Sequence, residues 1–82
     1  MSVRLDGDVI RLEGDCRVED SEPLLALLQA DRGRVVDLTM AVSLHSAVVQ
    51  TLLALRPPLV GTPRDEFTAR WLVPLLMSRD VG

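Results

Sequence analysis

Lysine and tyrosine are absent from this sequence of 82 residues, and phenylalanine and tryptophan each occur once. The nine cationic residues are all arginines, and twelve acidic residues leave a net charge of −3. Nucleic-acid binding needs a basic surface, and binding of single strands also uses aromatic side chains on which bases stack. We therefore expect no nucleic-acid partner.

Cysteines and long apolar runs are equally scarce. Cys16 is the single cysteine, so the sequence offers neither an internal disulfide nor the cysteine spacing of a metal site, and we expect no cofactor. The longest apolar stretch, residues 40–55, is interrupted by His45 and Gln50 and is too short to span a bilayer. Acidic residues occupy the N-terminal region, where a secretory signal would be basic and then apolar. These features predict a cytoplasmic protein without membrane insertion.

The length and the hydrophobic content, 48% of the residues, predict one small domain over residues 1–82. Apolar residues alternate on both sides of Asp6-Gly7-Asp8, which predicts an N-terminal β-hairpin with strands at about residues 2–5 and 8–14. The polar composition of residues 15–20 favours a loop.

Helical and extended segments alternate after this hairpin. Apolar periodicity, prolines and β-branched runs predict a helix over 21–30, a strand over 34–39, a connection over 40–44, a helix over 46–56, a strand over 59–61, and a third helix from Thr62 that carries Phe67, Trp71 and Leu75. The order β-β-α-β-α-β-α predicts the α/β class, with a small mixed β-sheet, an N-terminal hairpin and helices packed on the sheet.

One segment carries a motif. Val35-Val36-Asp37-Leu38-Thr39 is followed by a short connection and then by Leu44-His45-Ser46-Ala47, which opens an apolar helix. This arrangement resembles the STAS domain family of bacterial anti-sigma-factor antagonists and transporter tails. In that family a strand ending in Asp-Leu-Ser, a loop and Asp-Ser-Ser/Thr-Gly follow one another. The resemblance extends over residues 9–76, and the chain looks like a minimal form, shorter than the usual members.

The resemblance implies a fold, a function and a switch. Such domains are non-catalytic regulators that bind a serine kinase-type anti-sigma factor and release it when the first serine of the second motif is phosphorylated. Ser46 falls on that serine, whereas His45, Ala47 and Val48 replace the Asp, the Ser/Thr and the Gly. The contact loop implied by the family comprises Met40, Val42, Ser43, Leu44 and His45.

Other interpretations of these residues stay open. Ser46 can serve solely as the N-cap of its helix, and His45 can be a hydrogen-bonded surface residue, a pH-sensitive contact or a partner of a phosphate. Asp37, His45 and Ser46 supply the residue types of a hydrolytic triad. Adjacent Ser and His side chains diverge at a helix start, however, and no glycine-rich oxyanion loop accompanies them, so we expect no enzyme.

The apolar content exceeds what one small sheet can hide. The excess predicts an exposed patch for a protein partner or a homodimer, with Arg70 and Trp71 of the third helix as contributors. A second functional hypothesis is therefore a constitutive STAS-like adaptor subunit of a transporter ATPase, for example in lipid transport, that acts without phosphorylation. The motif residues lost at positions 45 and 48 favour this alternative.

Overall fold

The structure is a computed structural model that describes residues 2–66, 69, 70 and 74. In this part of the chain, a short 3₁₀ turn at Val18–Asp20 leads into the first of two helices, α1 (Ser21–Ala30) and α2 (Ser46–Leu55). The strands are β1 (Val3–Asp6), β2 (Val9–Leu12), β3 (Gly14–Cys16), β4 (Val35–Asp37), β5 (Ala41–Leu44) and β6 (Leu59–Val60).

A mixed sheet in the order β1-β2-β4-β6 forms the scaffold. β1 runs antiparallel to β2, and β2, β4 and β6 run parallel to one another. The hairpin turns on Gly7-Asp8, where Gly7 adopts the positive φ (62°) that a two-residue hairpin turn requires. The sequence-based expectation of a small mixed α/β fold with an N-terminal hairpin is confirmed.

Two segments predicted to be irregular are strands. β3 lies partly within the predicted loop 15–20 and β5 within the predicted connection 40–44, and the two pair in parallel as a separate ribbon. β3 follows β2 after one residue, so the pairing of β2 with β4 continues, after a bend, as the pairing of β3 with β5. Both loop predictions are wrong because strands this short carry no periodic signal; their stability comes from a partner distant in sequence.

The core lies between the sheet and the two helices. Eight large side chains are almost completely buried there, and each contributes roughly 1.5–3 kcal/mol of transfer free energy. They are Ile10, Leu12, Leu24, Leu28, Val36, Leu38, Val48 and Leu52.

α2 ends close to its predicted boundary. Its last residue is Leu55, and Arg56 adopts a left-handed conformation (φ 50°) from which its N–H donates to the C=O of Leu52. The two prolines that follow prevent continuation, as the sequence indicates.

The segment after β6 passes alongside β5, where the N–H of Arg64 donates to the C=O of Ala41 (2.8 Å). Residues 62–65 are not helical, so the predicted helix start at Thr62 is wrong. Among the later residues that the structure describes, Glu66, Arg70 and Pro74 are helical. The predicted positions of Phe67, Trp71 and Leu75 on this helix lie outside the described residues.

Candidate partner-binding site

The junction between β5 and α2 presents Ser46 to solvent. β5 ends at Leu44, a single residue follows, and α2 begins at Ser46. Ser46 is exposed, and no hydrogen-bond partner of its hydroxyl is found among the described residues. Modification of the hydroxyl would therefore break no hydrogen bond among the described residues.

His45, not Ser46, is the N-cap of α2. Its backbone is extended (φ −63°, ψ 150°), and its Nδ1 accepts a hydrogen bond from the N–H of Ala47 (3.0 Å). The N–H of His45 donates to the C=O of Cys16 (2.8 Å), which ties the start of α2 to β3. The prediction of Ser46 as the cap is wrong, because the residue before it satisfies the free helix N–H. The interpretation of His45 as a hydrogen-bonded surface residue is confirmed.

An apolar surface lies directly before this cap. Met40 and Val42 are 49% and 38% exposed. We call the exposed side chains of Met40, Val42, His45 and Ser46 the β5–α2 surface. Apolar side chains and an accessible hydroxyl thus occupy one short continuous segment, a composition that suits a protein partner.

The remaining two residues of the implied contact loop lie elsewhere. Leu44 is buried in the core, so its side chain supports β5 and is not open to a partner. Ser43 is half-buried, and its Oγ donates to Oδ1 of Asp15 on β3 (2.8 Å). The sequence analysis missed Asp15, which is Ser43's register partner and an exposed negative charge on the neighbouring strand.

Asp37 is the last residue of β4 and so belongs to the sheet. Its carboxylate accepts hydrogen bonds from the backbone N–H of Thr39 (2.9 Å) and from the Arg11 guanidinium (2.5 Å). The Thr39 hydroxyl and N–H, together with the charge of Arg11, hold the pKa of Asp37 below its ordinary value. The Asp37 carboxylate therefore has a structural role, since it holds the end of this strand to Arg11 and Thr39.

The residue types of a hydrolytic triad are not connected. Asp37 is engaged by Arg11 and Thr39, and Nδ1 of His45 accepts the N–H of Ala47, so Nδ1 has no proton to donate to a carboxylate. Within residues 2–66 no hydrogen bond links Asp37, His45 and Ser46. The arrangement does not match the one that activates a serine nucleophile.

Cys16 is a packed thiol. It is buried, and burial raises its pKa to about 11, so the reactive thiolate is scarce at neutral pH. The described residues contain no group of three or more His, Cys, Asp or Glu side chains placed to hold a metal ion. They also contain no helix with the length and apolar character needed to cross a membrane.

Arg70 and Trp71 are the two residues of the predicted third helix that were expected to contact a partner. Arg70 is exposed, whereas Trp71 lies outside the described residues.

Comparison of the chain with models of known families, with curated proteins and with solved structures found no match.

Proposed function

We propose that this chain is a non-catalytic regulatory protein that binds a partner protein through the β5–α2 surface, as an anti-sigma-factor antagonist does. The observation that carries the proposal is the exposure of Met40 and Val42 immediately before an exposed, unengaged Ser46 hydroxyl. Buried apolar contacts would supply the affinity, and the adjacent hydroxyl would supply the control.

Phosphorylation of Ser46 would weaken such a contact. A phosphoryl group adds close to two negative charges at pH 7, and burying them beside apolar side chains is unfavourable. Asp15 already contributes one exposed negative charge on the strand next to β5. A phosphoryl group on Ser46 would add to the negative charge that the partner has to accommodate. We expect the phosphorylated form to release its partner.

The first experiment measures the intact mass of the protein purified from its own host, comparing wild type with Ser46→Ala. A phosphoryl-sized addition in the wild type alone supports the switch. The second compares recovery of the cross-linked partner by quantitative mass spectrometry. Ser46→Ala should retain it, and Ser46→Asp should lose it.

A matched pair of substitutions tests the surface itself. Val42→Asp places a charge within the β5–α2 surface, whereas Val60→Asp places one on β6, where Val60 is 46% exposed and outside that surface. We expect partner recovery to fall for Val42→Asp and to persist for Val60→Asp. Equal recovery with both variants would contradict the proposed binding surface.

A constitutive adaptor is the second candidate, and one observation favours it. The N–H of Ala47, which a phosphate at a helix N-terminus would use, is already bonded to His45, and Val48 in the place of the family's glycine is completely buried. The departures from the motif thus have structural roles of their own. For an adaptor, Ser46 carries no phosphoryl group and Ser46→Asp binds as wild type does, while Val42→Asp still loses the partner.

A further inference from the structure

Among the described residues, β1 is an edge strand of the four-stranded sheet. In the described part of the chain β1 pairs with β2 alone. An open edge strand presents a row of backbone N–H and C=O groups on which another strand can assemble. Leu5, in the middle of β1, is 41% exposed although it shares a sheet face with the buried Val3.

The hairpin pattern determines which backbone groups of β1 point to the open side. The N–H of Glu13 donates to the C=O of Ser2 (2.8 Å), so Ser2 belongs to a hydrogen-bonded pair with the neighbouring strand. Such pairs alternate along an antiparallel ladder, and the next two fall on Arg4 and Asp6. Leu5 therefore directs its N–H and C=O away from β2, towards the open side.

A second copy of β1 fits this edge in one register. When two β1 strands run antiparallel and are centred on Leu5, Arg4 of each copy stands opposite Asp6 of the other. The two Leu5 residues then exchange both of their outward hydrogen bonds. The same pairing centred on Arg4 or on Asp6 would oppose like charges, which is destabilising.

The side chains on the outer face accommodate the same register. Arg4 pairs with Glu13 (2.7 Å) and Asp6 pairs with Arg11 (3.2 Å), yet the side chains of Arg4 and Asp6 remain 53% and 54% exposed. Each has room for a second partner. Along the ion pairs of the two copies the charges would alternate in sign from Glu13 through Arg4 and Asp6 to Arg11. Within one copy Arg4 also stands directly opposite Arg11, so the Asp6 of the second copy would bring a negative charge next to this pair of arginines.

We propose that the open edge of β1 binds the same edge of a second copy, centred on Leu5, and so forms an eight-stranded sheet across a two-fold axis. An interface built on so short a strand belongs to the small, transient class. The contact uses none of the residues of the β5–α2 surface. A test of dimerisation through β1 is therefore independent of a test of the proposed function.

Sedimentation equilibrium of the full chain, at protein concentrations up to about 1 mM, tests the proposal. Wild type should dimerise reversibly. Arg4→Asp and Asp6→Arg should each raise the dissociation constant at least about tenfold, because the symmetric interface contains the altered pair twice. An equimolar mixture of the two variants should associate again, since each supplies the charges that the other lacks, and the double variant should recover self-association.

Two further variants keep the result interpretable. Leu5→Pro removes the outward N–H without removing a hydrogen bond to β2, and it should abolish association while the circular dichroism spectrum stays native. Glu19→Arg changes an exposed charge outside the sheet and should leave association unchanged. A monomeric wild type, a dimer insensitive to the single charge reversals, or a mixture that fails to associate would each overturn the proposal.

Discussion

The four-stranded sheet and the β3–β5 pair share two stretches of chain, residues 3–16 and 35–44, and the sheet adds β6 from a third. The sheet and the pair are nevertheless held together differently. On the outer face of the sheet three ion pairs connect neighbouring strands: Arg4–Glu13, Arg11–Asp6 and Arg11–Asp37. The β3–β5 pair has an irregular register and one side-chain hydrogen bond between its strands, from Ser43 to Asp15. The regular sheet thus acts as the scaffold, and the less regular pair carries the exposed residues of the candidate site.

The largest expected effect lies where the two regions meet. Gly61 has a φ of 81°, and a Cβ added there would stand 2.8 Å from the backbone N of Thr39 and 2.9 Å from Oδ1 of Asp37. Gly61→Ala should therefore lower the free energy of unfolding by about 2–4 kcal/mol, from backbone strain and overpacking together. Urea denaturation measures the change.

Gly7→Ala is the matched control for that substitution. Gly7 also has a positive φ (62°), but an added Cβ meets no atom within 4 Å. Backbone strain alone should cost about 1 kcal/mol. Equal losses for the two variants would show that the close approach to Thr39 contributes nothing.

The next effect concerns the start of α2, which follows β5 of the less regular β3–β5 pair. His45→Ala removes the acceptor of the Ala47 N–H and should destabilise the protein by about 1 kcal/mol. His45→Asn restores a capping oxygen and should recover most of that loss. Ser46→Ala should change stability by less than about 0.5 kcal/mol, because its hydroxyl caps nothing. Thermal unfolding of the three variants checks this order, and a larger loss for Ser46→Ala would contradict the assignment of the cap.

The smallest effect is a pH dependence of the scaffold. The folded pKa of Asp37 lies below its ordinary value of 3.8, so the unfolded chain binds its proton more readily. Its contribution to stability is complete above the ordinary value and disappears as the pH falls through the lower folded value. Asp37→Asn should therefore lose less stability than wild type between about pH 5 and pH 2, and the difference should stay below about 1 kcal/mol. Parallel acid-unfolding curves would argue against this role.

Local patterns predicted much of the fold. The hairpin follows from alternation around a glycine-containing turn, and α1 and α2 follow from apolar periodicity bounded by polar residues and prolines. The position of Ser46 at the start of an apolar helix could also be predicted, because the residues involved are contiguous in sequence. These features depend on neighbours within a few positions, so a one-dimensional pattern is sufficient to find them.

Contacts between distant residues were not predictable in the same way. β3 and β5 are strands because each hydrogen-bonds to the other, and the roles of Asp15 and Leu44 follow from that pairing. His45 rather than Ser46 is the cap because the extended backbone of His45 places its side chain within reach of the N–H of Ala47.

The amino-acid sequence by itself determined the α/β class, the hairpin and the position of a serine at the start of an apolar helix, because local backbone preferences and the burial of apolar side chains decide these features. Only the tertiary structure decided that Met40 and Val42 are exposed while Leu44 is buried, and that β1 lies at the edge of the sheet that the described residues form. The exposure of a side chain and the position of a strand at a sheet edge both depend on which strands pair. Pairing between strands distant in sequence is a property of the assembled fold.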